Sequence, residues 1–511
     1  MRNHRESPFK HPGSALLLCL VLSVCLIFKP HSASAQNRVP PVRITVQDAV
    51  LTALENNRSL RVERLNPSIR RTFEEQELAV FDPTIHAGAE FSREKGQQEL
   101  ADSNISKSSG IDVNVGASKF FPTGTDLSLD LTASRSWSDR ISNRYDPRVG
   151  LSVTQALLRG RGLDVNLANL RQAELDTRYS QYELRGFSEA MVAQVEETYW
   201  DYILAQRQIE IYENSLKLAE QQLAETREII KVGKLAETEM VAAEAEIALR
   251  RQELIEAQNV MATTRLRLLR LLNPPGPDLW ERELILLNKP IVPEVQLDDV
   301  DAHVKVALRL RPDLNQARLE IQHGDLQVVK TKNGLLPRMD LFISLGKTGY
   351  ADSFGNALSN ITEHNYDLLA GLRLEYPFRN REPRALHERA MLTQRQAQES
   401  LNNLSQLVEL DVRTAYIELN GTGQQIHASR ATRQLEEEKV RIETEKFRVG
   451  RSTSFLVAQA QRDLVRAQIF EIRAVVNYLK ALVDLHRVEG SLLERWGIDA
   501  PGKEPADIPV E

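Results

Sequence analysis

Two hydrophobic periods take turns along this chain. Over residues 126–133, Leu127, Leu129, Leu131 and Ala133 alternate with Asp126, Ser128, Asp130 and Thr132, the period of two that gives a strand one apolar and one polar face. Weaker alternation marks 111–117 and 149–153. It returns at Met339, Leu341, Ile343 and Leu345 and at Leu368, Ala370, Leu372 and Leu374. Elsewhere the period is helical. After Gly233, the positions Ala236, Met240, Ala243, Ile247, Arg250, Leu254, Ala257, Met261, Thr264, Leu268 and Leu271 recur at spacings of four and three, a coiled-coil seam with two polar members. A second series, Val241, Ala245, Ala248, Gln252, Ile255, Asn259, Ala262, Leu266 and Leu269, lies roughly 150° around the same helix. An isolated two-stranded coil would keep that far face polar. Two apolar seams predict a helix with a neighbour on each side, in a closed cylinder of helices or on the broad core face of a four-helix bundle. Polar strips between the seams hold Glu244, Arg251, Gln258 and Arg265, and Glu239, Glu246 and Glu253.

The last third of the chain repeats its middle. Sliding by 217 positions lays residues 195–272 on 412–489 without a gap, placing Tyr199 on Tyr416, Val232-Gly233 on Val449-Gly450 and Ala257 on Ala474. At an offset of 254, Ala53-Leu54 falls on Ala307-Leu308, Leu60 on Leu314 and Pro83 on Pro337. The period exceeds that of solenoid repeats, so the chain reads as two large halves. Between the offsets the first half carries 37 additional residues in its strand region, enough for an extra hairpin.

These patterns predict a first repeat over 36–272, with short helices capped at Thr45 and running over 59–80, strands at about 84–156, and a long helical hairpin at about 165–272 kinked near Gly186. Phe121-Pro122-Thr123-Gly124 reads as a hairpin turn and 97–109 as a polar loop. Pro274, Pro275, Pro277, Pro290 and Pro293 mark a linker over 273–294. A second repeat fills 295–499, with strands at about 338–377 and a hairpin at about 384–497. Residues 500–511, rich in Pro and acid, read as a disordered tail. Each long helical arm has roughly 40 residues, or ~60 Å.

The N-terminus changes the compartment. Arg2, Arg5 and Lys10 precede an apolar run over 15–28, and Ala33-Ser34-Ala35 supplies a cleavage site, so residues 1–35 read as a signal peptide. An uncleaved anchor and a lipoprotein signal through Cys25 are the alternatives. Both cysteines, Cys19 and Cys25, lie in this segment, which leaves the exported chain without disulfide or thiol chemistry. The segment takes four of the 65 basic and one of the 71 acidic residues, leaving a balance of −9 that argues against general nucleic-acid binding. No later stretch has eighteen consecutive apolar residues, so the remaining route into a membrane is a β-barrel.

With these features in place the chain resembles the TolC-type outer membrane efflux family over about 44–497. The resemblance rests on Gln47-Asp48-Ala49-Val50 with Ala53-Leu54-Glu55-Asn56-Asn57, on their counterpart Ala307-Leu308 to Asp313-Leu314, and on the strand-to-helix junction Gln155-Ala156-Leu157-Leu158-Arg159-Gly160-Arg161-Gly162. Ala156 stands where the family has Pro; Tyr376-Pro377-Phe378 keeps it. The resemblance implies a mostly helical fold with membrane β-structure: two tandem repeats whose long hairpins form a trimeric α-barrel, and strands of a β-barrel shared between protomers in outer-membrane lipid. It implies a passive exit duct of a tripartite efflux pump or type I secretion system. The implied partners are a periplasmic adaptor protein and an inner-membrane transporter. An exported coiled-coil scaffold without a pore is the alternative reading.

The resemblance also implies where function sits. Adaptor docking falls at the two hairpin tips, Val232-Gly233-Lys234 and Val449-Gly450-Arg451. The periplasmic gate falls just beyond them, with Glu239, Phe455 and Leu456 as candidates. The gate aspartates of the family correspond to Leu456 and Gln459 and its gate arginine to Ser452, so no carboxylate ring is expected here; Phe455 and Leu456 serve either as an apolar constriction or as ordinary helix packing. No catalytic, metal or cofactor site is expected. The histidines after residue 35 (His86, His303, His323, His364, His387, His427 and His486) form no metal-binding pair, and no phosphate loop or nucleophile elbow occurs.

Overall fold

The computed structural model describes residues 41–97, 105–138, 143–233, 235–293, 297–362 and 365–506. The expected signal peptide and the tip residue Lys234 lie outside the described residues. The elements in chain order are β1 (Val42–Ile44), α1 (Val46–Asn56), α2 (Arg58–Glu63), α3 (Asn66–Leu78), β2 (Thr84–Gln97), β3 (Ile105–Phe121), β4 (Thr125–Ser138), β5 (Arg144–Ala156), α4 (Leu163–Asn166), α5 (Ala168–Lys231), α6 (Thr238–Leu272), β6 (Leu284–Leu286), α7 (Val300–Leu310), α8 (Pro312–Gly334), β7 (Arg338–Thr348), α9 (Phe354–Asn360), β8 (Asp367–Glu375), α10 (Arg381–Arg448), α11 (Ser454–Glu489) and α12 (Leu492–Arg495).

The helices build two long hairpins. α5 and α10 have 64 and 68 residues, about 100 Å each at 1.5 Å per residue, and α6 and α11 return over 35 and 36. The outgoing arms are thus longer than the 40 residues read from the sequence. α5 passes through Gly186 as one continuous helix; a Cβ there would stand 3.5 Å from Pro312, so this glycine lets α8 pack closely. Each hairpin closes on its own partner, and α11 also packs against α5. The first seam of α6 faces inward, with Ile247, Ala257 and Leu268 buried. Its second seam is bare in the single chain as far as Leu266, with Val241, Ile255 and Leu266 exposed, and only its last member, Leu269, reaches the core. The equivalent seam of α11 is covered where Val465, Ile469, Val476, Leu479 and Val483 pack.

The core lies at mid-height, where α1, α2 and α7 clasp the long helices. Ala53 and its repeat mate Ala307 are fully buried, as are Leu314, Val195 and Val412, with Leu60 almost so. A reciprocal capping box starts α1, with Asp48 N–H donating to Thr45 Oγ1 at 3.1 Å and Thr45 N–H to Asp48 Oδ2 at 3.0 Å. The helix expected over 59–80 is two helices, because Pro67 has no N–H for the Glu63 carbonyl and α3 must start afresh.

The linker is structured. Leu284–Leu286 pairs in parallel with Val42–Ile44, and the buried Tyr199 hydroxyl donates to the Ile44 carbonyl and to Asn288. The expected free tail is also docked as far as it is described. Tyr182 donates to the Glu504 carbonyl, Ala506 N–H to Asn315 Oδ1 at 2.9 Å, and Ala506 is buried. A buried ionic cluster sits beside it. Arg185, 1% exposed, donates to Glu494 and the Gly490 carbonyl and lies 3.3 Å from Glu189. Burial pushes the Glu189 carboxyl up to about 8, the Arg185 charge opposing and the Glu494 charge reinforcing that shift.

Six strands form one antiparallel sheet in the order β2-β3-β4-β5-β7-β8. The first half contributes four and the second two. The loop expected over 97–109 is shorter, since β2 reaches Gln97 and pairs it with Ile105; ladder hydrogen bonds there satisfy the backbone whatever the side-chain polarity. The predicted turn is present, with Gly124 at φ 84° and its N–H bonded to the Phe121 carbonyl. One face carries aligned apolar rows: Ile85, Ala117, Leu129, Leu151, Leu345 and Leu368 lie directly abreast. The opposite face is polar and rich in glycine. His86 reaches Asp130 at 3.0 Å across Gly116, and Arg148 forms a bidentate pair with Asp367 at 2.6 and 2.7 Å across Gly346. A Cβ at either glycine would come within 2.4 Å of these side chains.

Candidate functional site: hairpin tips and the helix constriction

Both hairpins reverse by the same device. Gly233 has φ 73° and its N–H meets the Ile230 carbonyl; Gly450 has φ 74° and its N–H meets the Phe447 carbonyl. At the second tip Arg451 N–H closes the turn on the Lys446 carbonyl at 2.7 Å, the six-to-one bond of a glycine C-cap. Val232 and Val449 are each 68% exposed, so each tip presents one apolar side chain beside its basic residues. No atom lies within 4 Å of a Cβ built on either glycine. The glycines are required by backbone conformation, not by space.

Just beyond the tips, α6 and α11 are tied together. Glu239, in the first turn of α6, accepts a hydrogen bond from Ser454 in the first turn of α11. Two turns on, the buried Glu246 takes Arg250 at 2.6 Å and, across the helix pair, Arg462 at 2.9 Å; Arg250 also holds Glu253 at 2.8 Å. The Arg462 guanidinium lies 5.8 Å from the centre of the Phe455 ring. The structure therefore ties Glu239 to Ser454 and sets Phe455 beside the Arg462–Glu246 pair, and it leaves Phe455 and Leu456 exposed within the chain. Thr453 caps α11 by accepting from Leu456 N–H, which fixes where Phe455 and Leu456 emerge.

Sequence reasoning missed Ser454, Arg250 and Arg462 as members of this site. The signal was present: Arg250 interrupts the first seam of α6, and Arg462 interrupts the second seam of α11. A charge at a seam position demands a buried partner, and Glu246 is that partner. No cluster of three or more His, Cys, Asp or Glu placed to hold a metal ion occurs among the described residues. No described helix is long and apolar enough to cross a membrane.

The sequence model of the family described as outer membrane efflux protein matches residues 108–274 and 304–491, one match in each half. No curated protein sequence matches the chain significantly. Several solved structures share its fold. The outer-membrane channel OprN superposes with a TM-score of 0.65 at 18% identity, covering 87% of this chain and 90% of that one. The CmeC outer membrane channel of Campylobacter jejuni gives 0.64 at 15%, covering 90% and 87%. The open-state MtrE outer membrane channel of Neisseria gonorrhoeae gives 0.62 at 17%, covering 91% of each chain. The family is one of efflux channels rather than enzymes, and its matched segments take in both long hairpins together with β3–β5, β7 and β8. This chain belongs to the outer membrane efflux protein family.

Proposed function

We propose that three copies of the chain assemble into a passive exit duct, with the sheets closing a shared barrel in the outer membrane and the hairpins reaching across the periplasm. The observation that carries this reading is the sheet, which is apolar on one face and has two unpaired edges. Six strands are too few to close around a bore, and in lipid an open edge leaves backbone groups unsatisfied. Other copies must supply the missing pairing. The bare second seam of α6 points the same way, as do Leu392, Leu410, Ile417 and Leu435, exposed along α10. A pore-free scaffold would have no use for the apolar face of the sheet. Export through the N-terminal signal, a periplasmic adaptor at the hairpin tips and an inner-membrane transporter beyond it complete the reading. The transporter supplies the energy. Single-channel conductance in planar bilayers, with mass in detergent measured in parallel, tests it. A trimer with discrete conducting steps is expected; a monomer or dimer without conductance refutes the duct.

In the same reading, Glu239–Ser454 and Glu246–Arg462 hold α6 to α11 and keep the tip end narrow, with Phe455 and Leu456 as its apolar closure. Arg462→Ala removes the cross-helix pair and the cation beside Phe455. Unit conductance is expected to rise several-fold in this variant, with trimer mass unchanged. Unchanged conductance would move the constriction elsewhere.

A further inference from the structure

The sheet carries more strands than two equal halves would give. By the repeat, β2 corresponds to β7, each following the matched Pro83 and Pro337, and β5 corresponds to β8, each leading into a long helix. The β3–β4 hairpin has no counterpart. It is nevertheless built into the wall along its whole length. β3 pairs with β2 over fourteen residues, and β4 pairs with β5 from Thr125↔Gln155 to Ser136↔Arg144. Its turn is fastened to the strand-to-helix junction. Ala156 N–H donates to the Gly124 carbonyl at 2.9 Å, and Asn166 Nδ2 donates to the Pro122 carbonyl at 2.9 Å and the Gly160 carbonyl at 2.8 Å.

The apolar face shows how this wall sits in lipid. The apolar runs are Ile85–Phe91 on β2, 111–117 on β3, 127–133 on β4, 149–153 on β5, 339–345 on β7 and 368–374 on β8. In the row that joins Ile85 to Leu368, Ile85 is at the helix-ward end of its run and Leu368 at the far end of its own. A level band of lipid therefore crosses the register obliquely. It shifts by six residues, ~20 Å, over five inter-strand steps, ~24 Å. That is a strand tilt of about 40°, the inclination of a closed transmembrane barrel. All six strands follow this single band, the inserted pair included. Aromatic residues flank it at both ends on the same face, with Phe91, Trp137 and Tyr145 at one end and Phe121 at the other. Arg135, between Trp137 and Tyr145, lies 4.9 and 5.5 Å from their ring centres, as a cation at a membrane interface does.

Resting on the trimeric duct proposed above, we infer that the shared barrel has eighteen strands, six from each copy, with β8 of one copy antiparallel to β2 of the next. The directions allow this, since β2 runs away from the helices and β8 runs back toward them. Barrel diameter grows roughly in proportion to strand number, so eighteen strands at this tilt enclose a cylinder ~36 Å across between backbones, against ~24 Å for twelve. The polar face keeps that width open. The His86–Asp130 hydrogen bond and the Arg148–Asp367 ion pair lie flat over Gly116 and Gly346 instead of projecting inward. Only four strand ends per copy continue into helices, because β3 and β4 turn back on each other. A ring of twelve helices spaced 8–10 Å apart spans ~31–38 Å, so the eighteen-strand wall matches the width of the helical segment beneath it, which a twelve-strand wall would not.

Cryo-electron microscopy of the full-length protein in lipid nanodiscs tests this, paired with bis-maleimide cross-linking of an Ala89→Cys, Ala370→Cys variant. The expected result is eighteen strands around the trimer and cross-linked dimers and trimers through the β8–β2 seam. A trimer with twelve strands, the β3–β4 hairpin outside the wall and no cross-link would overturn the strand count and leave the duct standing. A chain that stays monomeric in lipid would sink both.

Discussion

Arg185→Met is expected to destabilise the chain by about 3–5 kcal/mol, the cost of removing one member of a buried ionic cluster. The substitution preserves much of the side-chain volume but leaves Glu494 and the Gly490 carbonyl without their donor and Glu189 without the neighbouring positive charge. The loss should appear as a lower midpoint of thermal unfolding in detergent, with the C-terminal segment becoming protease-sensitive first, since Glu494 and Gly490 anchor it. The cluster also makes a pH prediction. Glu189 holds its proton up to about 8 in the fold, against 4.5 for a free carboxyl. The folded state therefore binds more protons than the unfolded state between these values, and stability falls as pH rises through the window. Its contribution is fully present below about 4.5 and is lost as pH climbs past 8. Glu189→Gln should flatten that slope between pH 5 and 8.5. An Arg185→Met variant as stable as the parent would show that the cluster is dispensable.

Gly233→Val with Gly450→Val should reduce export in cells at least tenfold while leaving the trimer intact. Both glycines sit at positive φ, where a β-branched residue costs ~1–2 kcal/mol, so each tip must rearrange. Nothing surrounds either position, so the strain stays local and the long helices behind it persist. Gly421→Ala, also in open space but inside α10, serves as the control and should export normally. Conductance of the purified double variant should match the parent, which separates docking from conduction. Undiminished export would reduce both tips to plain turns.

Much of the architecture was readable because it repeats or alternates. Leu127, Leu129 and Leu131 reveal a strand face without any partner, and the 217-residue offset reveals paired hairpins. What escaped depended on residues far away in sequence. The Leu284–Leu286 strand is three residues amid prolines, and only Val42–Ile44, some 240 positions earlier, makes it a strand. Residues 500–506 share the Pro and acid content that signals disorder, yet Tyr182 and Asn315 hold their backbone. At the tips, the glycines were legible from the sequence alone. The Glu246–Arg462 tie was not, because its members are 216 residues apart and their meeting depends on how α6 and α11 cross.

The β3–β4 hairpin starts and ends on neighbours that would otherwise pair with each other. Excising it would let β2 meet β5 and would leave every strand-to-helix connection where it is. Calibre at the outer membrane can therefore change in evolution by gain or loss of one two-stranded cassette, in steps of six strands per trimer, without disturbing the register of the helices. An ancestor could widen its mouth in a single insertion and keep the pump it was already coupled to.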